Sequence, residues 1–309
     1  MFPVLHGNAA LRAGSTAILI LLLLSGCATT AGRGTSTPTP PATVGAADSA
    51  RQLLAPDDPQ CPMGTPQPHP GIPLGPTQRI DRQGYALLHS ADTRTPYWVC
   101  ERYTAQSLRS LHDRKGLRFS ADPLLSGPRA VPSDYTGSSK HRTRAGEFPI
   151  DIGHMAPAES HSSTAQRLAD TFYLSNAVPQ HRAMNRGQWA RLEACARTAA
   201  AAHGHAWVIS GPMMANGPDG RAAPVETIGN GVVIPTHTWK ILVYRTASLE
   251  LRAWAVIMPN RTLPAGSTLE DFAASIDEIE AVTGFDFLPQ LTPVEQRRLE
   301  SVRYSIVCG

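Results

Sequence analysis

Apolar positions recur in short runs along the chain, and these runs predict the strands of a sheet. The runs are rich in β-branched and aromatic residues and are bounded by glycine, proline or polar turn residues, as strands usually are. The predicted strands are YALLHS, PYWVCERYT, AWVISGPM, TWKILVYRT and LRAWAVIMP. We expect a further short strand in DTFYLSNAVPQ, closed by Pro179, because proline cannot donate to a sheet ladder.

Two segments show helical spacing instead. In NRGQWARLEACARTAAAAH, which begins at Asn185, the apolar residues Trp189, Leu192 and Ala196 recur at helical intervals until Gly204. A final helix is predicted across TLEDFAASIDEIEAVTG with Thr268 as its N-cap. Strands on both sides of a central helix, joined by long loops, indicate an α+β domain with a central, mainly antiparallel sheet flanked by helices.

The N-terminal segment has a different pattern. Arg12 precedes the apolar run AILILLLLSG, which ends at Cys27 and is too short to span a membrane. The letters LSGC resemble the lipobox of bacterial lipoproteins, so we expect cleavage before Cys27 and a lipid anchor on it. An ordinary secretory signal and an uncleaved anchor are the alternatives. We predict a signal peptide over 1–26, a Thr/Pro-rich tether over 27–60 and a folded domain over 61–309.

This N-terminus places the folded domain in the bacterial cell envelope, on the periplasmic or surface side. Ala28 after Cys27 carries no acidic inner-membrane retention signal, which favours the outer membrane. Four cysteines remain in an oxidising compartment, and they permit two disulfides in three pairings. We favour Cys61–Cys100 with Cys195–Cys308, although sequence alone does not decide the pairing. No CxxC pair supports a zinc site.

Net charge is +3 and charged residues make up 17% of the chain, so the protein is not a general polycation. From Glu101 to Ala145, however, nine Lys/Arg residues face four Asp/Glu residues, an excess of five positive charges. A local basic surface suits a polyanion such as nucleic acid. A solvated basic face without a ligand is the alternative.

Candidate chemistry lies in FPIDIGHMAPAES, where His154 follows a predicted strand. Alone, His154 could be a structural histidine, and Asn185 could merely cap the helix that it begins. However, DIGHMAPAES, YLSNAVPQ and NRGQWARLE occur in the order and at the spacing of three linked family motifs. Over about Tyr85 to Pro259 the chain closely resembles the DNA/RNA non-specific endonucleases. That family has the ββα-metal endonuclease fold and includes the Serratia-type nucleases and endonuclease G.

The resemblance implies a site. His154 takes the position of the general base, and Asn185 that of the direct ligand of a hydrated Mg²⁺, for which Mn²⁺ can substitute. Glu193 matches a carboxylate that orients the waters of the ion. Arg197, four residues later on the same helix face, could pair with it, and it matches an arginine that the family uses near the scissile phosphate. Further matched residues are Asn176 and Gln180, expected to line the cleft, and Arg118, the nearest counterpart of a family arginine, with Arg114 behind it.

The resemblance also implies an activity. Metal-dependent hydrolysis of DNA and RNA without sequence preference is expected, leaving 5′-phosphate ends and weakening steeply with salt. One departure matters: Ile152 stands where the family usually has arginine in the histidine motif. A catalytically impaired nucleic-acid-binding lipoprotein on the same fold is therefore the alternative, and an envelope lipoprotein with relic motifs is a more distant one.

Overall fold

The computed structural model describes residues 58–143, 146–214 and 225–308. The predicted signal peptide, almost all of the tether and the lipid-bearing Cys27 therefore lie outside the described residues. Within those ranges, no helix is both long enough and apolar enough to cross a bilayer.

Short and long strands alternate with few helices along the described chain. The strands are β1 (Gln67–Pro68), β2 (Thr77–Asp81), β3 (Tyr85–Ser90), β4 (Thr95–Thr104), β5 (Arg142–Thr143), β6 (Gly146–Glu147), β7 (Ile150–His154), β8 (Ala177–His181), β9 (His205–Met213), β10 (Glu226–Ile228), β11 (Val232–Ile234), β12 (His237–Arg245), β13 (Leu251–Pro259), β14 (Ala273–Ala274) and β15 (Phe285–Asp286). The α-helices are α1 (Ala165–Asp170), α2 (Arg182–Met184), α3 (Ala190–His203), α4 (Ile276–Thr283) and α5 (Pro293–Glu300). A π-helical turn, Asn185–Trp189, joins α2 to α3.

A seven-stranded antiparallel sheet forms the centre, in the spatial order β14-β13-β12-β9-β4-β3-β2. The five strands predicted from apolar runs all lie in it, and the α+β prediction is confirmed. Four two-stranded antiparallel pairs surround this sheet: β1 with β15, β5 with β6, β7 with β8, and β10 with β11. The fold is thus a large sheet carrying small local pairs, one of which bears the candidate chemistry.

Side-chain alternation along the central strands gives the sheet two buried faces. In β12, Trp239 and Ile241 join one apolar cluster, whereas Leu242 joins the other. The first cluster packs against α4 and α5, and Phe287 belongs to it. The second packs against α3 through residues such as Leu192. Successive side chains of a strand point to opposite faces of the sheet. A continuous apolar run therefore places apolar side chains on both faces, and both faces are covered.

Two sequence expectations about element bounds were wrong. The final helix begins at Ile276 rather than after Thr268, because Ser275 and Glu278 form a reciprocal capping box. The predicted strand in DTFYLSNAVPQ is only Ala177–His181, and it runs through Pro179 instead of ending there. Proline is tolerated in this position because β8 pairs with a single neighbour, β7, within the described chain.

Two disulfides join distant parts of the chain in the favoured pairing. Cys61 bonds Cys100 on β4, and Cys195 on α3 bonds Cys308. The first link ties the segment before the sheet to a central strand. The second ties the end of the described chain to the helix that follows Asn185.

Candidate active site

The predicted catalytic residues meet at a ββα unit packed against the second face of the sheet. Strands β7 and β8 pair antiparallel, with His154 opposite Ala177 at the end of the pair. Immediately after β8 the chain turns helical from Arg182 to His203, and Gly187 kinks it with φ −102° and ψ −107°. A cleft of about 530 Å³ opens beside this unit, and His154, Asn185, Glu193 and Arg197 all line it.

His154 lies in an aromatic setting. Its ring centroid is 4.8 Å from that of Phe119 and 5.3 Å from that of Phe172, which meets it edge-on at 85°. Burial is the main cause that lowers the pKa of His154 to about 3, and nearby Arg114 and His161 contribute to the same shift. The imidazole is therefore neutral at working pH, and its buried Nε2 has no hydrogen-bond partner among the described residues. That nitrogen is available to a group outside the chain.

Asp151 organises the residues around Asn185. Its carboxylate accepts hydrogen bonds from Arg182 Nε at 3.1 Å, from Arg186 Nε at 2.6 Å and from Asn185 Nδ2 at 3.3 Å. Burial raises the pKa of Asp151, but the hydrogen bonds from Arg186, Arg182 and Asn185 outweigh it, so the net shift is downward. Because the amide nitrogen of Asn185 is held by Asp151, its amide oxygen is the atom left to face a cation.

Glu193 and Arg197 lie one turn apart on α3 and both line the cleft. Burial raises the pKa of Glu193 to about 7, while Lys240 and Arg197 act in the opposite direction. Among the described residues, no hydrogen bond or ion pair joins Glu193 to Arg197, although helical spacing made such a pair plausible. Arg197 has a buried Nη1 without a partner in the same part of the chain, so the described residues leave this donor unsatisfied.

Beneath the cleft lies a buried polar network that the sequence did not reveal. His161 Nε2 contacts Glu101 Oε2 at 2.7 Å, and the Tyr103 hydroxyl donates to the same oxygen at 2.9 Å. Lys240, also fully buried, places Nζ 3.4 Å from the carbonyl of Met155 and 5.0 Å from the centre of the Trp189 ring. These contacts fix the backbone immediately after His154 from below.

The arginine predicted from the stretch before Asp122 is placed differently. Arg118 donates to the carbonyl of Leu117 and is not among the residues that line the cleft. Arg114 lines it instead, with Nη1 3.6 Å from Glu159 Oε1. The expectation for Arg118 is thus corrected to Arg114: Phe119, adjacent to Arg118, turns inward against His154, so Arg118 points away.

Asn176 and Gln180 do not line the cleft. Asn176 is fully buried, accepts from the amide of Ala156 at 2.9 Å and donates to the carbonyls of Ala156 and Thr171. It therefore fixes the turn after His154 rather than facing a ligand. Gln180 is also fully buried, and a β-carbon on Gly153 would collide with it. This close approach explains the glycine of the histidine motif.

Ile152 lines the cleft between Asp151 and His154, where the resemblance implies an arginine. Its side chain packs with Phe119 and Phe148 at the edge of a small apolar cluster. The positive charges beside the cleft come from other elements, among them Arg114, Arg186 and Arg197.

The donor chemistry of the cleft fits a hydrated divalent cation. The amide oxygen of Asn185 and the carboxylate of Glu193 are hard oxygen ligands of the kind that Mg²⁺ prefers, while space remains for the waters that it retains. Glu193 makes no hydrogen bond to the described residues, so its carboxylate is free for such waters.

Comparisons with known proteins identify the family of this chain. A family model described as DNA/RNA non-specific endonuclease matches residues 65–293. Mitochondrial nuclease EXOG of Mus musculus is 32% identical over 229 residues, covering 72% of this chain and 60% of the relative. Mitochondrial endonuclease G of Homo sapiens is 31% identical over 226 residues and 72% of each chain. Nuclease C1 of Cunninghamella echinulata is 30% identical, covering 69% of this chain and 83% of the relative.

A solved structure is also similar. A chain from the EndoG/EndoGI complex matches with a TM-score of 0.63 and 28% identity, covering 73% of this chain and 90% of that one. The protein spans about 60% of the length of the EXOG relatives. The family model and the relatives show that the protein belongs to the DNA/RNA non-specific endonuclease family, and its fold is the ββα-metal endonuclease fold.

Proposed function

We propose that the protein is a metal-dependent endonuclease that hydrolyses the phosphodiester bonds of DNA and RNA without sequence preference. The observation that carries the proposal is the meeting of His154, Asn185 and Glu193 in one cleft, each with an atom free for a ligand. Relatives named as nucleases cover most of this chain, which supports the same activity.

His154 acts as the general base in this proposal. Its imidazole is neutral because of burial, and Nε2 has no internal partner, so it can take a proton from an attacking water. The rings of Phe119 and Phe172 restrict its orientation. Arg114 and Arg197 supply positive charge to the phosphate from opposite elements of the cleft.

Asn185 and Glu193 would hold Mg²⁺, Asn185 directly and Glu193 through water. A bound ion of this kind supplies positive charge to the phosphate and to the leaving oxygen. Asp151 keeps the amide of Asn185 turned so that its oxygen faces the cleft. Among the cleft residues we identify no group that reads a base edge, which favours cleavage without sequence preference.

We further propose that a lipid on Cys27 anchors the protein in the bacterial cell envelope, with DNA and RNA as substrates on the periplasmic or surface side. The two disulfides support an oxidising compartment. Incorporation of radiolabelled palmitate into the wild type but not into Cys27→Ala is the expected result. Equal labelling of both would refute the anchor.

The activity is tested by digestion of plasmid and RNA with the full-length protein in detergent, with Mg²⁺ or with EDTA. We expect degradation of both substrates that requires the metal and is lost in His154→Ala. Ile152 favours one alternative, a nucleic-acid-binding protein with impaired catalysis. No cleavage by the folded wild type, together with retained gel shifts and activity gained by Ile152→Arg, would establish that alternative.

A further inference from the structure

A second pocket, lined by Arg102, Arg109 and Arg167, lies outside the candidate active site. We call it the arginine pocket; its volume is about 440 Å³, and no Asp or Glu is among its lining residues. Arg102 lies on β4, Arg109 in the following loop and Arg167 on α1. Three separate elements thus bring guanidinium groups to one concave surface.

These three arginines lack the carboxylate partners that other arginines of this chain have. Arg79 pairs with Asp58 and Asp81, Arg82 with Asp122, and Arg182 with Asp151. Across the described ranges, no carboxylate oxygen lies within 4.0 Å of a side-chain nitrogen of Arg102, Arg109 or Arg167.

Partial burial makes the absence of a counter-charge costly. The Nε atoms of Arg102 and Arg167 are buried and have no hydrogen-bond partner among the described residues. Burial also lowers the pKa of Arg167, although Glu101 opposes this. Arg167 is held in place by donating to the carbonyl of Gln83 at 2.7 Å and by its contact with His161 Nδ1 at 3.2 Å. Arg109 is exposed and adds a third positive charge at the rim of the pocket. A group of guanidinium ions without counter-charges favours an anion with several oxygen acceptors.

The arginine pocket is continuous with the active-site cleft. A depression of about 440 Å³ between them shares Leu111 with the arginine pocket and shares Arg114 and Glu159 with the cleft, and exposed Asp113 also lines it. A strand of nucleic acid whose scissile phosphate lies beside His154 can therefore follow this depression past Arg114 into the arginine pocket. Three of the nine basic residues between Glu101 and Ala145, namely Arg102, Arg109 and Arg114, lie along this path.

We propose that the arginine pocket is a second phosphate-binding site, which holds the backbone of the nucleic-acid substrate away from the cut. The proposal rests on the proposed function, since the ligand is the substrate itself. It predicts that affinity increases with substrate length, because a short oligonucleotide fills the cleft without reaching the pocket.

The test compares the wild type with the double variant Arg102→Ala/Arg109→Ala, leaving Arg167 in place because it contacts His161. Binding of fluorescent 4-nucleotide and 24-nucleotide single strands is measured by anisotropy in EDTA, at several salt concentrations. We expect the variant to lose roughly 10- to 100-fold in affinity for the long strand and little for the short one. The slope of log affinity against log salt should decrease by about 1.4, or ~0.7 for each lost phosphate contact.

The matched control is Arg261→Ala/Arg297→Ala, which removes two exposed arginines that line neither the cleft, nor the depression, nor the arginine pocket. It should bind both strands as the wild type does. An equal loss in the control would show a general charge effect and overturn the proposal, and so would unchanged long-strand binding in the pocket variant. If the wild type binds neither strand, or binds both strands equally, the pocket proposal fails; the proposed function fails only if Mg²⁺-dependent digestion is also absent.

Discussion

The two faces of the central sheet differ in the kinds of side chain that they bury, and two adjacent residues of β12 show the difference. Trp239 enters the face covered by α4 and α5, where its ring centroid lies 4.7 Å from that of Phe287. Lys240, the next residue, enters the other face and lies under the cleft, fully buried beside Trp189. Both faces contribute apolar packing to stability, and the cleft face in addition buries Lys240 and Glu101 beneath the cleft.

The largest effect is expected on the cleft face, from His154→Ala. Loss of the general base should lower kcat by about 10²- to 10⁴-fold. Because the imidazole Nε2 has no hydrogen-bond partner within the described chain, the melting temperature should fall by only a few degrees. Steady-state cleavage of a fluorescent oligonucleotide and thermal unfolding measure the two quantities. A variant that unfolds at much lower temperature would place His154 among the structural residues.

Loss of stability with activity retained is expected from Phe287→Ala, on the face covered by α4 and α5. This residue is fully buried, and its truncation leaves a cavity, which should lower the free energy of unfolding by about 3–5 kcal/mol. At 20 °C kcat should remain within about threefold of the wild type, since Phe287 packs on the face opposite the cleft. Urea titration and initial rates test this. Strong loss of activity in protein that is still folded would show that the faces are not independent.

A smaller effect concerns pH and the cation. Because burial raises the pKa of Glu193 to about 7, this carboxylate is protonated below neutral pH when no ion is bound. The dissociation constant for Mg²⁺ should therefore rise by up to about tenfold for each pH unit below 7 and level off above about 8. His154 stays neutral over this range and does not contribute. Mg²⁺-induced shifts in melting temperature between pH 5.5 and 8.5 measure this pH dependence. Shifts that do not change with pH would contradict the assignment of Glu193 to the cation.

The smallest effect is a gain in stability. The pKa of folded Glu193 lies above its ordinary value of 4.5, so stability is lost as pH rises from about 4.5 through about 7. Glu193→Gln removes this loss and should raise the melting temperature by roughly 2–4 °C at pH 8 and hardly at pH 4.5. The control Glu147→Gln, at an exposed carboxylate, should leave the melting temperature unchanged at both pH values. An unchanged or lower melting temperature at pH 8 would argue against burial as the origin of the shift.

Local patterns predicted the elements of this fold better than their precise ends. The apolar run in TWKILVYRT and the helical spacing after Asn185 depend on neighbours along the chain, and both predicted elements were confirmed. The predicted start of α4 was wrong because Thr268, which hydrogen-bonds Asp271 three residues later, begins only the short 3-10 turn Glu270–Phe272, whereas Ser275 with Glu278 caps the α-helix. The helix Pro293–Glu300 was not predicted, although Thr292 and Glu295 form the same type of capping box.

The site was predicted where motifs are local and was missed where partners come from far along the chain. Sequence placed His154, Asn185 and Glu193 together, and the structure brings all three to the cleft. Nothing local indicates that Glu101 meets His161, 60 residues away, beneath that cleft. Asn176 was expected to face a ligand because its motif does, but a buried amide next to a turn first satisfies backbone groups.

The two disulfides divide the chain into parts that can and cannot lengthen under tension. A pull between residues 61 and 308 passes through the sulfur bridges, so the loops of 39 and 113 residues that they close stay hidden from the force. The extensible part is the chain from Cys100 to Cys195, roughly 95 residues or about 320 Å when stretched. His154, Asn185 and Glu193 all lie within it. The candidate active site therefore lies in the extensible part of the chain, between two segments closed by disulfides. Stretching the oxidised protein would unfold this site while both disulfide loops stay closed.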